Sequence, residues 1–152
     1  MYGLIEHTDE INRLLARYGV KFGIYKNNVF NERLFPFDAV PRIISKDEFE
    51  YLERGLKQRV KALNIFLKDI YTKKQIIKDK IIPEEFVYGA AGYMMECEGA
   101  VPPKDVFAHI SGIDLVQGND MRWYVLEDNL RVPSGASYPM IARELCRRAS
   151  PD

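Results

Sequence analysis

Ile11, Leu14, Leu15 and Tyr18 recur at helical spacing behind Thr8, Asp9 and Glu10, and Gly19 follows them. This pattern predicts a short helix capped at Thr8 and stopped at the glycine. Val20–Tyr25 and Val29–Leu34 then read as strands around a Lys26-Asn27-Asn28 turn, an arrangement that fits a hairpin. Phe35-Pro36-Phe37-Asp38 to Pro41-Arg42 is a proline-punctuated linker that leads into the apolar segment Val40–Ile44.

Ser45 and Glu48 have the spacing of a capping box. Behind them Phe49, Leu52, Leu56, Val60, Leu63, Phe66, Leu67 and Ile70 trace one apolar stripe, so a long helix is expected over Lys46–Tyr71. Pro83 opens another helical stretch, and Gly89, Gly92 and Gly99 break up the region before Pro102-Pro103. Met94 and Met95 read as core filler first and as a ligand surface second. Further on, a strand is expected over Val106–Val116, a turn at Gly118-Asn119-Asp120, a strand over Arg122–Asp128 and an amphipathic helix over Ser137–Arg148.

These elements predict an α+β fold in a single domain: a mixed or antiparallel sheet from the 20–34 strands and the 106–128 hairpin, covered by the long helix. The 22 basic and 22 acidic residues cancel, which removes any electrostatic case for nucleic acid or an anionic membrane as partner. The chain has no apolar run long enough to span a bilayer, and Met1–Glu10 lacks the pattern of a signal peptide. Cys97 and Cys146, far apart in sequence, fit reduced thiols in a cytoplasmic protein. With His7 and His109 as the only histidines and no CxxC pair, a zinc site is not expected.

The candidate chemistry lies in Gly112–Val116 and Tyr124–Gly135. Strand side chains alternate with period two, so Glu127 and Asn129 share a face. A hairpin loop at 119–122 would set Asp114 directly across from Glu127; a two-residue loop at Asn119-Asp120 shifts the pairing by two and keeps the face. Two carboxylates side by side repel. A hard divalent cation such as Mg²⁺ resolves that conflict, because it takes oxygen ligands, one or two carboxylates among them, together with substrate phosphates. The same three residues also fit the polar ends of a solvated hairpin, although Asp114 and Glu127 are each set among Ile, Leu, Val, Trp and Tyr.

Arg131 could meet phosphoryl oxygens with its guanidinium or form a surface ion pair. Ser134 and Gly135 could offer hydroxyl and backbone N–H donors to a substrate carboxylate or form an ordinary turn. Lys57, Arg59 and Arg42 are weaker candidates for a substrate carboxylate, and positions 57 and 59 do not share a helix face. His109 reads as a strand residue in the core or at its edge.

Four strings carry a resemblance: Phe35-Pro36-Phe37-Asp38, Pro41-Arg42-Ile43-Ile44, the run Glu53–Asn64, and Leu126-Glu127-Asp128-Asn129-Leu130-Arg131-Val132-Pro133-Ser134-Gly135. In these the chain resembles the circularly permuted ATP-grasp proteins, including glutathionylspermidine-synthase-like ones. The resemblance implies an ATP-dependent carboxylate–amine ligase working through an acyl phosphate. It implies Mg²⁺ and ATP as cofactors, with Asp114, Glu127 and Asn129 as metal ligands, Glu127 bridging two ions. Arg131 would then be catalytic, and Ser134 and Gly135 would be cofactor-binding.

The basic nucleotide lobe of such an enzyme would follow the Asp…Glu-x-Asn hairpin, and little chain remains after Gly135. No GxxxxGK[ST] and no GxGxxG after a strand replaces it. The chain therefore reads as a fragment, inactive alone, that self-associates or meets a complementary lobe. Two other functions remain open: a scaffold module that keeps the fold, and a metal-dependent hydrolase, for which no convincing base is found.

Overall fold

The structure, a computed structural model, describes residues 2–38, 40 and 42–149. Pro41 of the linker and the terminal Pro151-Asp152 lie outside the described residues. The elements run α1 (Tyr2–Arg17), β1 (Lys21–Lys26), β2 (Val29–Leu34), α2 (Lys46–Tyr71), α3 (Gln75–Lys78), α4 (Glu84–Tyr88), β3 (Gly112–Gln117), β4 (Trp123–Asn129) and α5 (Ser137–Ala149). The fold is α+β, as the sequence predicts. It divides into two units, one from the described parts of 1–44 and 134–152, the other from 45–133.

In the first unit α1 begins at Tyr2, so Thr8 sits inside the helix and is not its cap. An interior threonine costs only a few tenths of a kcal/mol, roughly, which the added helical hydrogen bonds outweigh. The C-terminus follows expectation. Gly19 has φ +67°, its N–H donates to Ala16 O, and Val20 N–H reaches back to Leu15 O at 2.9 Å. That pair of bonds is a Schellman stop, and Val20 packs on the core beside Leu15.

Ile11, Leu15 and Leu145 form this unit's buried centre, joining α1 to α5. The Phe35 and Tyr138 rings stack against its margin, 4.5 Å between centroids, and Tyr138 Oη donates to Lys21 O at 2.8 Å. β1 and β2 pair antiparallel from Lys21↔Leu34 to Lys26↔Val29. Asn27 and Asn28 both have positive φ, the two-residue hairpin turn whose twist suits the flanking strands.

In the second unit α2 has the bounds its stripe predicts. Ile70 is buried, and Leu52, Leu56, Val60, Leu63, Phe66 and Leu67 are half-buried, while Phe49 stays exposed. Ser45 Oγ accepts from Glu48 N–H at 3.3 Å, which is half a capping box. The other half is missing, because the Glu48 carboxylate accepts from Trp123 Nε1 at 2.8 Å and so ties the helix start to β4.

The strands form two separate two-stranded ribbons and not one sheet. Periodicity identifies strands and local turns join them, but nothing in either signal specifies pairing between distant hairpins. Residues 106–111 are not strand either. Lys104 and Asp105 take left-handed conformations, and Asn64 Oδ1 accepts from both Phe107 N (2.8 Å) and Ala108 N (3.0 Å). Backbone donors that a ladder would need are thus bound to a side chain. His109 is consequently exposed and off any strand. Met94 and Met95 are exposed too: stacked Tyr71 and Tyr93, 5.1 Å apart, take the space beside α2 instead.

Candidate metal centre

β3 and β4 pair antiparallel, with Gln117↔Trp123, Val116↔Tyr124 and Leu115↔Val125 in regular register. Continued unchanged, that ladder would set Leu126 opposite Asp114 and Glu127 opposite Ile113. The register instead shifts between Asp114 and Leu115, so Asp114 faces Glu127, Ile113 faces Asp128 and Gly112 faces Asn129. Leu126 is the extra residue of a β-bulge, and every side chain beyond it changes face.

Leu115, Trp123 and Val125, on the inner face, line a groove of about 770 Å³ with α2. Asp114 and Glu127 are exposed on the outer face, with Asn129 on the same side and half-buried. Neither carboxylate has an ion pair with any described residue. Two anionic side chains directly across a ribbon, uncompensated and next to an amide oxygen, are a donor set suited to a hard cation. Among the described residues no three His, Cys, Asp or Glu side chains gather. The patch itself has two such groups, and its third donor is an amide.

Asp128, between the two outward donors, turns the other way. Arg59 on α2 grips it with both ends of its fork, Nε to Oδ1 at 2.7 Å and Nη2 to Oδ2 at 2.6 Å. The pair raises the guanidinium further above its ordinary value and holds the Asp128 carboxyl below the usual carboxylate range. Arg59 is therefore occupied within the unit, and Lys57 pairs with Glu53 at 2.9 Å on the solvent side. The sequence contains a signal for this contact. On the helix side Arg59 lies three residues after Leu56 and four before Leu63, a charge within an apolar stripe, whereas Asp128 reaches the face that meets it only through the Leu126 bulge.

Arg131 is exposed and has no ion pair among the described residues. Val132 beside it holds φ +49°, a strained conformation for a β-branched residue. Gly112 permits a close approach in this region, since a Cβ there would meet Pro133 Cβ at 3.0 Å and Asn129 Cβ at 3.5 Å. Ser134 and Gly135 belong to the other unit, in the short 3-10 turn Ser134–Ala136 that leads into α5. Ser134 O accepts from Ser137 Oγ at 3.0 Å, and a Cβ on Gly135 would meet nothing within 4 Å.

Residues 41–152 match the sequence profile described as a circularly permuted ATP-grasp. An uncharacterized protein of Synechocystis sp. is 46% identical over 149 residues, covering 98% of this chain and 31% of the relative. An uncharacterized protein of Mycobacterium leprae is 43% identical, over 91% of this chain and 25% of its own length. A Frankia casuarinae protein provisionally named glutamate–cysteine ligase 2-2 is 47% identical over 79% of this chain, which is 14% of that protein. The chain thus spans about a third or less of the length of these relatives.

Proposed function

The chain belongs to the circularly permuted ATP-grasp family, and on that premise we propose that it contributes the magnesium-holding part of an ATP-dependent carboxylate–amine ligase. Asp114, Glu127 and Asn129 would hold the metal through their carboxylate and amide oxygens. When bound, Mg²⁺ neutralises phosphate charge and aligns the β- and γ-phosphates of ATP. Arg131, exposed and unpaired among the described residues, would donate its N–H groups to the oxygens of the transferred phosphoryl group. The Ser134 hydroxyl and the Gly135 N–H would donate to the substrate carboxylate and to the acyl phosphate formed from it. The carboxylate oxygen would take the γ-phosphoryl group as its bond to ADP breaks. An amine would then attack the acyl carbon, the C–N bond forming as the C–O bond to phosphate breaks and the amine's proton passes to solvent.

The observation that carries the metal reading is the direct pairing of Asp114 with Glu127 without a cation from any described residue. Two Frankia relatives provisionally named glutamate–cysteine ligases support a carboxylate and an amine as the reacting pair. The resemblance of the 126–135 string to glutathionylspermidine-synthase-like proteins supports the same chemistry. The adenine contacts would come from sequence outside this chain, consistent with its share of the relatives' length. No helix of the described residues is long and apolar enough to cross a membrane, and a cytoplasmic setting is part of the proposal.

Calorimetric titration of Mg²⁺, with and without a non-hydrolysable ATP analogue, tests the reading. It compares the chain with a Glu127→Ala/Asn129→Ala variant. Heat of binding in the parent that disappears in the variant is the expected result. Absence of binding in both would favour a scaffold module that keeps the fold without the site.

A further inference from the structure

Asp128 is the sequence neighbour of both Glu127 and Asn129, and it is the one residue of the three that faces α2. Strand alternation links the three orientations: whatever draws Asp128 inward turns its neighbours outward. The Leu126 bulge has an obvious competitor. In the regular ladder Leu126 would oppose Asp114, and Glu127 would face α2, within the arc where a guanidinium is already presented. Apolar burial does not secure the bulge, because Leu126 itself is 69% exposed. The two-pronged bond from Arg59 is the contact that distinguishes the registers, since its planar fork matches a carboxylate at one position.

We propose that Arg59 and Asp128 form a clamp that holds the Leu126 bulge, and through it keeps Glu127 and Asn129 on the face of Asp114. Both are positioning residues, and their link to a cation rests on the metal-binding reading above. The clamp is a statement about register, so it can be read without any metal. Its further consequence is that cation affinity depends on two residues that never touch the cation, as outer residues around metal sites commonly do.

The test compares the chain with Arg59→Ala, Arg59→Lys and the exchanged pair Arg59→Asp/Asp128→Arg by NMR, first alone and then with manganese(II) chloride. Cross-strand NOEs report which residue faces Asp114. In Arg59→Ala they are expected to move from Glu127 to Leu126, while amide signals of α2 persist. Manganese affinity should fall by about 10- to 100-fold, the usual cost of losing an outer partner.

Arg59→Lys keeps the charge without the fork and should mix the two registers; it carries the test if the alanine variant does not fold. The exchanged pair should restore the parent pattern. Unchanged NOEs and unchanged affinity in the lysine and alanine variants would overturn the clamp, as would a fall in affinity with the Asp114–Glu127 pairing intact. If NOEs shift in Arg59→Ala but manganese broadens nothing in the parent, the clamp stands and the metal reading fails.

Discussion

Asp114 and Glu127 face each other across the β3–β4 ribbon because β4 carries one residue more than β3 requires. The extra residue, Leu126, moves Glu127 from the face that meets α2 to the face that meets solvent. Opposed carboxylates are therefore produced by a local departure from regular pairing, a device found often beside functional sites.

Deleting Leu126 should leave that opposition in place. Without the bulge residue, the regular ladder from Gln117↔Trp123 brings the old Glu127 opposite Asp114 directly. Mg²⁺ affinity, measured by calorimetry, is expected to match that of the parent. Moving the loop register by a one-residue insertion between Arg122 and Trp123 should instead abolish it.

The helix-to-ribbon tie at Glu48 predicts a stability effect. Trp123→Phe keeps most of the ring and removes the N–H that donates to Glu48 Oε1 at 2.8 Å. Hydrogen bonds to charged groups contribute about 1.5–3 kcal/mol, and a half-buried pair belongs at the lower end, so a loss of about 1.5 kcal/mol is expected in urea unfolding. Glu48→Gln should cost less, because the amide oxygen still accepts.

A third prediction concerns pH. Glu98 accepts from Lys74 at 2.8 Å and from Tyr93 Oη at 2.7 Å, and these partners, Lys74 first, hold its carboxyl below its ordinary value. A carboxyl depressed in the folded state stabilises fully above its unfolded value, and that contribution is lost as pH falls through the folded one. Tyr93, pushed up to about 12 by burial first and by Glu98 second, remains a donor throughout this range. Thermal unfolding of the parent and of Glu98→Gln should therefore differ at neutral pH and converge once pH falls below the folded Glu98 value. A constant difference from pH 7 to pH 3 would contradict it.

The sequence made the local elements legible. The stripe from Leu52 to Ile70 behind the Ser45 cap marked α2 from Lys46 to Tyr71, and Gly19 marked the stop of α1. Period two put Glu127 and Asn129 on one face. The ladder closes at Gln117↔Trp123 and not at a loop of 119–122 or Asn119-Asp120, so Asp114 joins that face only through the bulge, which neither loop implies. Leu126 has no glycine or proline to announce it, and its position is set by the Arg59–Asp128 contact, 69 residues apart in sequence. For the same reason the Glu48 side chain was assigned to its own helix start when a tryptophan 75 residues away holds it. Contacts at such separation depend on packing, which hydrophobic periodicity alone does not encode.

The most direct test of the central claim is anomalous diffraction from crystals of this chain soaked in manganese(II) chloride. The account predicts a peak bounded by Asp114, Glu127 and Asn129, absent in Glu127→Ala. A manganese peak confined to other residues, with this face of the ribbon clear, would contradict it.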